Sequence, residues 1–277
     1  MGLWTLTHFY QILPSFLVFA AVAVIAAMTL GKCDRKIRYI PLQVIAVLLL
    51  VLEVMKQINS ATGEGGYDLY ALPFHYCSLF LYTLPLHAFY RGKYSHLTDA
   101  AALGCLSSLM LFMVIMPAVV YSDGNIRNYF GSFGDFHTVT FHNLVVLYFM
   151  LTVALKLYDF QKKRDLKVMG VFLAVYVVIA AILSYSLKVN FHNLYECNVA
   201  FIENVRRAMV EKLGVFGTLI YVVILFILTI LFAYAAYFLT RLVVGLIEKA
   251  GKKGATGAVA TPDEAENTAE KTEESCN

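Results

Sequence analysis

The stretch LPFHYCSLFLYTLPL, residues 72–86, places a histidine and a cysteine two positions apart inside an apolar run. Ionisable side chains at such positions cost free energy in a bilayer, so a functional role is the first hypothesis. Pro73 suits the first turn of a helix, where its missing N–H is not needed. We therefore predict a membrane helix over residues 71–90, with His75 and Cys77 in its first turn. There the helix dipole and the free N–H groups favour a thiolate.

The composition is that of an integral membrane protein. Of 277 residues, 60% are hydrophobic and only 15% are charged, whereas soluble domains carry about a quarter charged residues. Crossing a bilayer needs about 20 helical residues. Seven apolar runs of the sequence are long enough. They cover residues 11–30, 39–58, 71–90, 98–121, 137–157, 168–188 and 214–241. The expected fold is all-α, an integral membrane seven-helix bundle over residues 1–249.

The distribution of Lys and Arg predicts the orientation of the bundle. The chain has 22 Lys and Arg residues. Of these, 16 lie in the first, third and fifth connections and the C-terminal part, 5 lie in the other connections, and Lys56 lies inside the second predicted helix. Because basic residues are enriched on the cytoplasmic side, the N-terminus is predicted outside and the C-terminus inside. Residues 250–277 contain few large apolar groups and are predicted to form a disordered cytoplasmic tail. The expected location is the cell membrane, with several crossings.

Polar side chains gather at the outer end of the predicted helices. With this orientation they form one outward-facing pocket lined by the second, third, fifth and sixth helices. The residues concerned are Glu53, Gln57, His75, Cys77, Ser78, His142, Asn190 and His192.

Several members of this group have a structural alternative. Glu53 and Lys56 are three residues apart on one helix and could neutralise each other. Cys77 could be a small buried hydrophobe, or could form a disulfide with Cys197. His75 could be a packing residue bonded to a carbonyl, or could join His142 and Glu53 in a metal or hydrogen-bonding cluster.

Helix geometry limits how Cys77 could be activated. Residues two apart on a regular helix point about 200° away from each other. His75 and Cys77 therefore cannot face one pocket unless the helix start is irregular. A base for the thiol would come from another helix, and His142 is the natural candidate.

Residues 72–79, LPFHYCSL, resemble the LPxHxC signature of the bacterial YwaF-type membrane proteins. Gly131-Ser132-Phe133 followed by His142, and Asn190-Phe191 followed by Leu194, are similar to two further segments of that family. The resemblance covers about residues 35–240 and implies a seven-helix architecture.

A more distant resemblance links the chain to the animal transmembrane protein 164 group. That resemblance implies a lipid acyltransferase, with Cys77 as nucleophile and a histidine as its partner. The first functional hypothesis is therefore a lipid acyltransferase or hydrolase that uses a Cys/His pair. The second is a permease, sensor or metal- or solute-binding membrane protein that uses the same groups without catalysis. Membrane lipids are the expected partners and a nucleic acid is not expected. Neither a cofactor nor a metal ion is assigned, and the oligomeric state stays open.

Overall fold

The structure is a computed structural model that describes residues 4–63, 65–197 and 200–257. It is all-helical over these residues. The longer helices are α1 (Leu6–Leu30), α2 (Ile40–Ala61), α3 (Leu79–Phe89), α4 (Ser95–Ile115), α5 (Phe133–Ala154), α6 (Lys162–Leu187), α7 (Ala200–Leu213) and α8 (Val215–Gly257). Short helical turns cover Arg35–Arg38, Leu69–Ala71, Tyr76–Ser78, Pro117–Val119 and Asp123–Arg127.

Six stretches of the described chain are long and apolar enough to cross a membrane. They are Leu6–Leu30, Arg35–Ala61, Ser95–Ile115, Phe133–Ala154, Lys162–Leu187 and Val215–Gly251. Each overlaps one of the predicted apolar runs. The prediction of an all-α, multi-pass membrane protein is therefore confirmed, whereas the count of seven helices is not.

The difference lies in the predicted helix over residues 71–90. Instead of one helix, this stretch holds a turn at Tyr76–Ser78 and then α3, which has 11 residues. At about 1.5 Å per residue, α3 measures about 16 Å, roughly half of a 30 Å hydrocarbon core. Pro73 is one cause, because proline disfavours the helical conformation in the residue before it. Leu72 indeed has φ −55° and ψ 140°.

The C-terminal boundary also differs from the prediction. Helix α8 continues to Gly257, so residues 250–257 of the predicted disordered tail are helical. The remainder of that predicted tail, residues 258–277, lies outside the described residues.

The described chain divides into two compact units. The first contains residues 4–49, 106–160 and 236–257, and the second contains the described residues of 50–105 and 161–235. In the first unit, α1 packs against α5 and against the short helix Asp123–Arg127.

In the second unit, glycine permits a close approach of α6 and α8. The Tyr234 hydroxyl donates to the Leu166 carbonyl at 2.8 Å, passing over Gly170. A Cβ atom at Gly170 would lie 2.7 Å from that hydroxyl, so a side chain there would displace Tyr234.

Candidate functional site

Cys77 lies on an irregular turn and carries a free thiol. The turn Tyr76–Ser78 follows His75, and the Ser78 N–H donates to the His75 carbonyl at 2.9 Å. Regular helix begins only at Leu79. The thiol is half-buried and is hydrogen-bonded by the Ser78 hydroxyl. The prediction that Cys77 occupies the first turn of a regular helix is therefore wrong. The 200° separation from His75 no longer applies, because it assumed that helix.

The end of α2 is tied to the segment before this turn. The Lys56 ammonium pairs with the Glu53 carboxylate at 2.9 Å, as the structural alternative expected. The Gln57 amide donates to Glu53 at 2.5 Å and to the Ala71 carbonyl at 2.8 Å, and Tyr67 donates to Gln57. Glu53 thus holds both Lys56 and Gln57, and Gln57 anchors the chain that leads to Pro73.

His75 has one ring nitrogen engaged and a defined tautomer. Its Nε2 lies 2.9 Å from the Tyr70 carbonyl, which can only accept, so Nε2 carries the proton. In the neutral ring, Nδ1 then keeps its lone pair. The ring packs on Tyr70 at 4.2 Å and on Phe191 at 5.2 Å between centroids. His75 is thus a carbonyl-bonded packing residue that still offers one basic nitrogen.

The connection after α6 is a tightly held loop. The Asn190 side-chain oxygen accepts from the N–H groups of Tyr195 and Glu196, at 3.3 and 3.2 Å. Phe191 is fully buried and exchanges two hydrogen bonds with Ser184. Asn190 therefore shapes its own loop.

His192 is held inside the second unit by this loop. Its Nε2 lies 2.9 Å from the Thr229 hydroxyl. The ring stacks on Tyr76 at 5.2 Å and meets Tyr176 edge-on at 5.5 Å. Because Tyr76 precedes Cys77 directly, His192 packs beside the turn that carries the thiol. The structure thus brings His75, His192, Ser78 and Cys77 into one neighbourhood.

His142 belongs to the first unit, where it is buried. Its Nδ1 lies 2.7 Å from the Thr138 carbonyl and must donate, so Nε2 is the nitrogen that can take a proton. The ring lies 6.1 Å from Tyr121 and 5.6 Å from Phe141. This tautomer suits a general base. Since Cys77 belongs to the second unit, the pairing of the two residues stays a prediction.

A buried network around His8 was missed by the sequence analysis. His8 is fully buried, and its ring nitrogens lie 2.9 Å from the Tyr121 carbonyl and 2.8 Å from the Thr5 hydroxyl. The Tyr121 hydroxyl donates to Gln11 at 2.7 Å. Because the first helix was predicted to begin at residue 11, His8 was placed outside it. An ionisable residue so close to an apolar run was the available signal.

The structure bears on the disulfide and on the metal cluster that the sequence left open. Cys77 and Cys197 are both free thiols, so the disulfide between them is not formed. Among the described residues, no group of three or more His, Cys, Asp or Glu side chains is arranged to hold a metal ion. Because His142 belongs to the first unit and His75 and Glu53 belong to the second, a cluster of these three residues stays a prediction.

An apolar crevice opens beside Tyr76 in the second unit. About 180 Å³ of non-atom space lies within it and in front of it, and none of that space is wide enough to take a water molecule. Small residues of two helices line it, Ala101 and Gly104 on α4 and Ala233 on α8, and the flexible Met169 side chain lies over Gly104. The crevice is therefore apolar but closed.

Glu203 on α7 anchors the far end of the His192 loop. Its carboxylate accepts two hydrogen bonds from Arg206 and one each from Arg207 and the Cys197 N–H, all at 2.7 to 2.8 Å. The Arg206 guanidinium, with help from Arg207 and this N–H, lowers the pKa of Glu203 to about 2. The anchor is therefore fully charged at neutral pH.

A sequence model of the TMEM164 family matches residues 3–234 of the chain. This match includes every predicted site residue. It is consistent with the transmembrane protein 164 resemblance, whereas the YwaF-type name is not confirmed. Comparison with curated proteins and with solved structures found no match.

Proposed function

The chain belongs to the TMEM164 family, and we propose that this multi-pass membrane protein is a lipid acyltransferase whose Cys77 thiol carries the acyl group. One observation carries the proposal. A free, half-buried thiol lies on an irregular turn outside the six candidate spans, among histidines that each keep one basic nitrogen. Because we also infer that residues 69–89 cross the membrane, these groups lie at membrane depth, where polar side chains are functional by default. We also propose the cell membrane as its location and membrane lipids as its partners.

The proposed reaction has two balanced steps. His142 Nε2 takes the proton of the thiol, and Cys77 Sγ attacks the ester carbonyl of a donor lipid. The ester C–O bond breaks, a thioester forms, and the imidazolium returns the proton to the leaving alkoxide. In the second step a hydroxyl of an acceptor lipid attacks the thioester while His142 takes its proton. The C–S bond then breaks and the thiolate recovers its proton.

We infer that the broken segment 69–89 provides a seventh crossing. Six crossings alone would leave both termini on one side, against the 16-to-5 distribution of Lys and Arg. Helix α3 covers about half of the hydrocarbon core, and the ten residues before it can cover the rest. Irregular backbone at membrane depth is tolerated where it is buried in protein or lines a cavity. Such breaks are typical of binding sites in membrane proteins.

The crevice beside Tyr76 is apolar, and the residue after Tyr76 is the proposed nucleophile. It is too narrow to take a water molecule, so the proposed acyl substrate rests on the thiol and not on this crevice.

Acyl transfer by purified protein in lipid nanodiscs tests the proposal. The assay supplies a labelled acyl phospholipid as donor and a lysophospholipid as acceptor. We expect Cys77→Ser to lose most turnover, and His142→Ala to lose about 10²-fold or more. The double variant should be little worse than either single one, because groups that act as a unit are not additive.

Cys197→Ser is the matched control, since Cys197 is the other half-buried free thiol of the described chain. This variant should keep full turnover. If Cys77→Ala kept full activity, the thiol mechanism would be wrong, and a solute-binding role for the same groups would take its place.

A further inference from the structure

The contact between His192 and Thr229 has a defined direction. The Thr229 hydroxyl donates its single hydrogen to the Leu225 carbonyl at 2.8 Å, so toward His192 its oxygen can only accept. His192 Nε2 therefore carries the proton and donates it. The neutral ring keeps its lone pair on Nδ1. Thr229 thus fixes the tautomer and the orientation of this imidazole.

The backbone at His192 is held in a conformation that L-residues rarely adopt. His192 has φ 54° and Asn193 has φ 56°, both in the left-handed region. Two such residues in succession are unfavourable and persist only where the surroundings impose them. Here the Tyr221 hydroxyl donates to the Asn193 carbonyl at 2.7 Å, and Phe191 and Leu194 are fully buried. This loop therefore fixes the position of the His192 imidazole.

The His192 ring lies on the face of the Tyr76 ring. The two rings are nearly parallel, with 20° between their planes and 5.2 Å between their centroids. Tyr176 lies edge-on to both rings, and its hydroxyl donates to the Phe74 carbonyl at 3.0 Å. Tyr176 and His192 therefore contact Phe74 and Tyr76, the two chain neighbours of His75 in the segment that leads to Cys77.

We propose that Thr229 and His192 are positioning residues for Cys77. Through the stack on Tyr76 they hold the turn Tyr76–Ser78, and so they set where the thiol points. This inference rests on the proposed role of Cys77 as the nucleophile, but the position of the thiol can be measured without any turnover.

The test measures the alkylation rate of each cysteine by N-ethylmaleimide in the full-length protein in detergent, read by mass spectrometry. Thr229→Val removes the acceptor for His192 while keeping the shape of the side chain. One buried hydrogen bond corresponds to about a 3- to 10-fold change in an equilibrium. We expect Cys77 alkylation to rise by that factor and acyl transfer to fall by a similar factor. The buried Cys105 should stay unreactive, which excludes global unfolding.

Two further variants separate positioning from simple destabilisation. Thr229→Ser keeps the hydroxyl and should restore wild-type alkylation of Cys77. Thr152→Val is the matched control. Thr152 is also buried and donates to the carbonyl four residues earlier, at Tyr148, but it has no histidine partner among the described residues. It should leave Cys77 unchanged.

The proposal is overturned if Thr229→Val leaves Cys77 alkylation at the wild-type rate, or if Thr152→Val raises it equally. It is also overturned if Thr229→Ser fails to restore the rate. Should the wild-type protein lack acyl transfer while alkylation responds as expected, the proposed function fails and the positioning role stands.

Discussion

Replacing Glu203 with glutamine should release the end of the His192 loop. The carboxylate accepts from Arg206, Arg207 and the Cys197 N–H, and these contacts lower its pKa from 4.5 to about 2. At about 1.4 kcal/mol per pKa unit, that shift corresponds to roughly 3 kcal/mol. Arg207 is 72% exposed, so solvent screens part of this. We therefore expect about 1–2 kcal/mol of local stability to be lost.

The pH dependence follows from the direction of the shift. Because the folded-state pKa is depressed, the stabilisation is complete above the unfolded-state pKa near 4.5 and is lost as the pH falls toward 2. The wild-type anchor should thus be insensitive to pH between 5 and 8. Glu203→Gln should be weaker throughout that range, with no pH dependence of its own.

Hydrogen exchange of peptides covering the loop and α7, followed by mass spectrometry in detergent, measures this loss. A loss of about 1–2 kcal/mol predicts about 5- to 30-fold faster exchange in Glu203→Gln at pH 7. Glu211→Gln is the control, since Glu211 is exposed on the same helix and forms no ion pair with another described residue. Equal exchange in wild type and Glu203→Gln, or equal acceleration in Glu211→Gln, would refute the reasoning.

Two further predictions concern the loop and the broken segment. Asn190→Ala removes the acceptor of two N–H groups and should lower Tm by about 2–4 °C. Asn190→Asp keeps the acceptor, so its Tm should stay near that of the wild type. Equal Tm values for both variants would contradict this role. Cysteines introduced at Gly65 and Lys93 should react with a membrane-impermeant maleimide from opposite sides of the membrane. Labelling of both from one side would show that residues 69–89 do not cross.

Six of the apolar runs could be predicted because composition alone specifies a helix long enough to cross a bilayer. The run at residues 71–90 is equally apolar, and its helix nevertheless begins only at Leu79. Hydropathy counts side chains, whereas the break depends on backbone effects at Pro73 and on the anchoring of Ala71 by Gln57. The irregular start that the sequence analysis named as an exception is the arrangement observed.

The neighbours of the thiol were only partly predictable. Spacing placed His75 and Asn190 at the outer end of their helices, but it could not show that the loop turns back through left-handed residues at His192. Asn193 supports such a turn, because asparagine adopts this conformation more readily than most residues. The hydrogen bond from His192 to Thr229 joins residues 37 apart in sequence, and no local pattern predicts it.

The central claim is that Cys77 carries an acyl group, and intact thioester formation tests it most directly. Protein incubated in nanodiscs with a donor phospholipid is quenched in acid, digested and analysed by mass spectrometry. The account predicts a peptide containing Cys77 that gains the mass of the acyl chain, loses it in hydroxylamine, and is absent in Cys77→Ser. Turnover of the donor with an unmodified Cys77 peptide at every time point, or with the acyl group on Cys197, would contradict it.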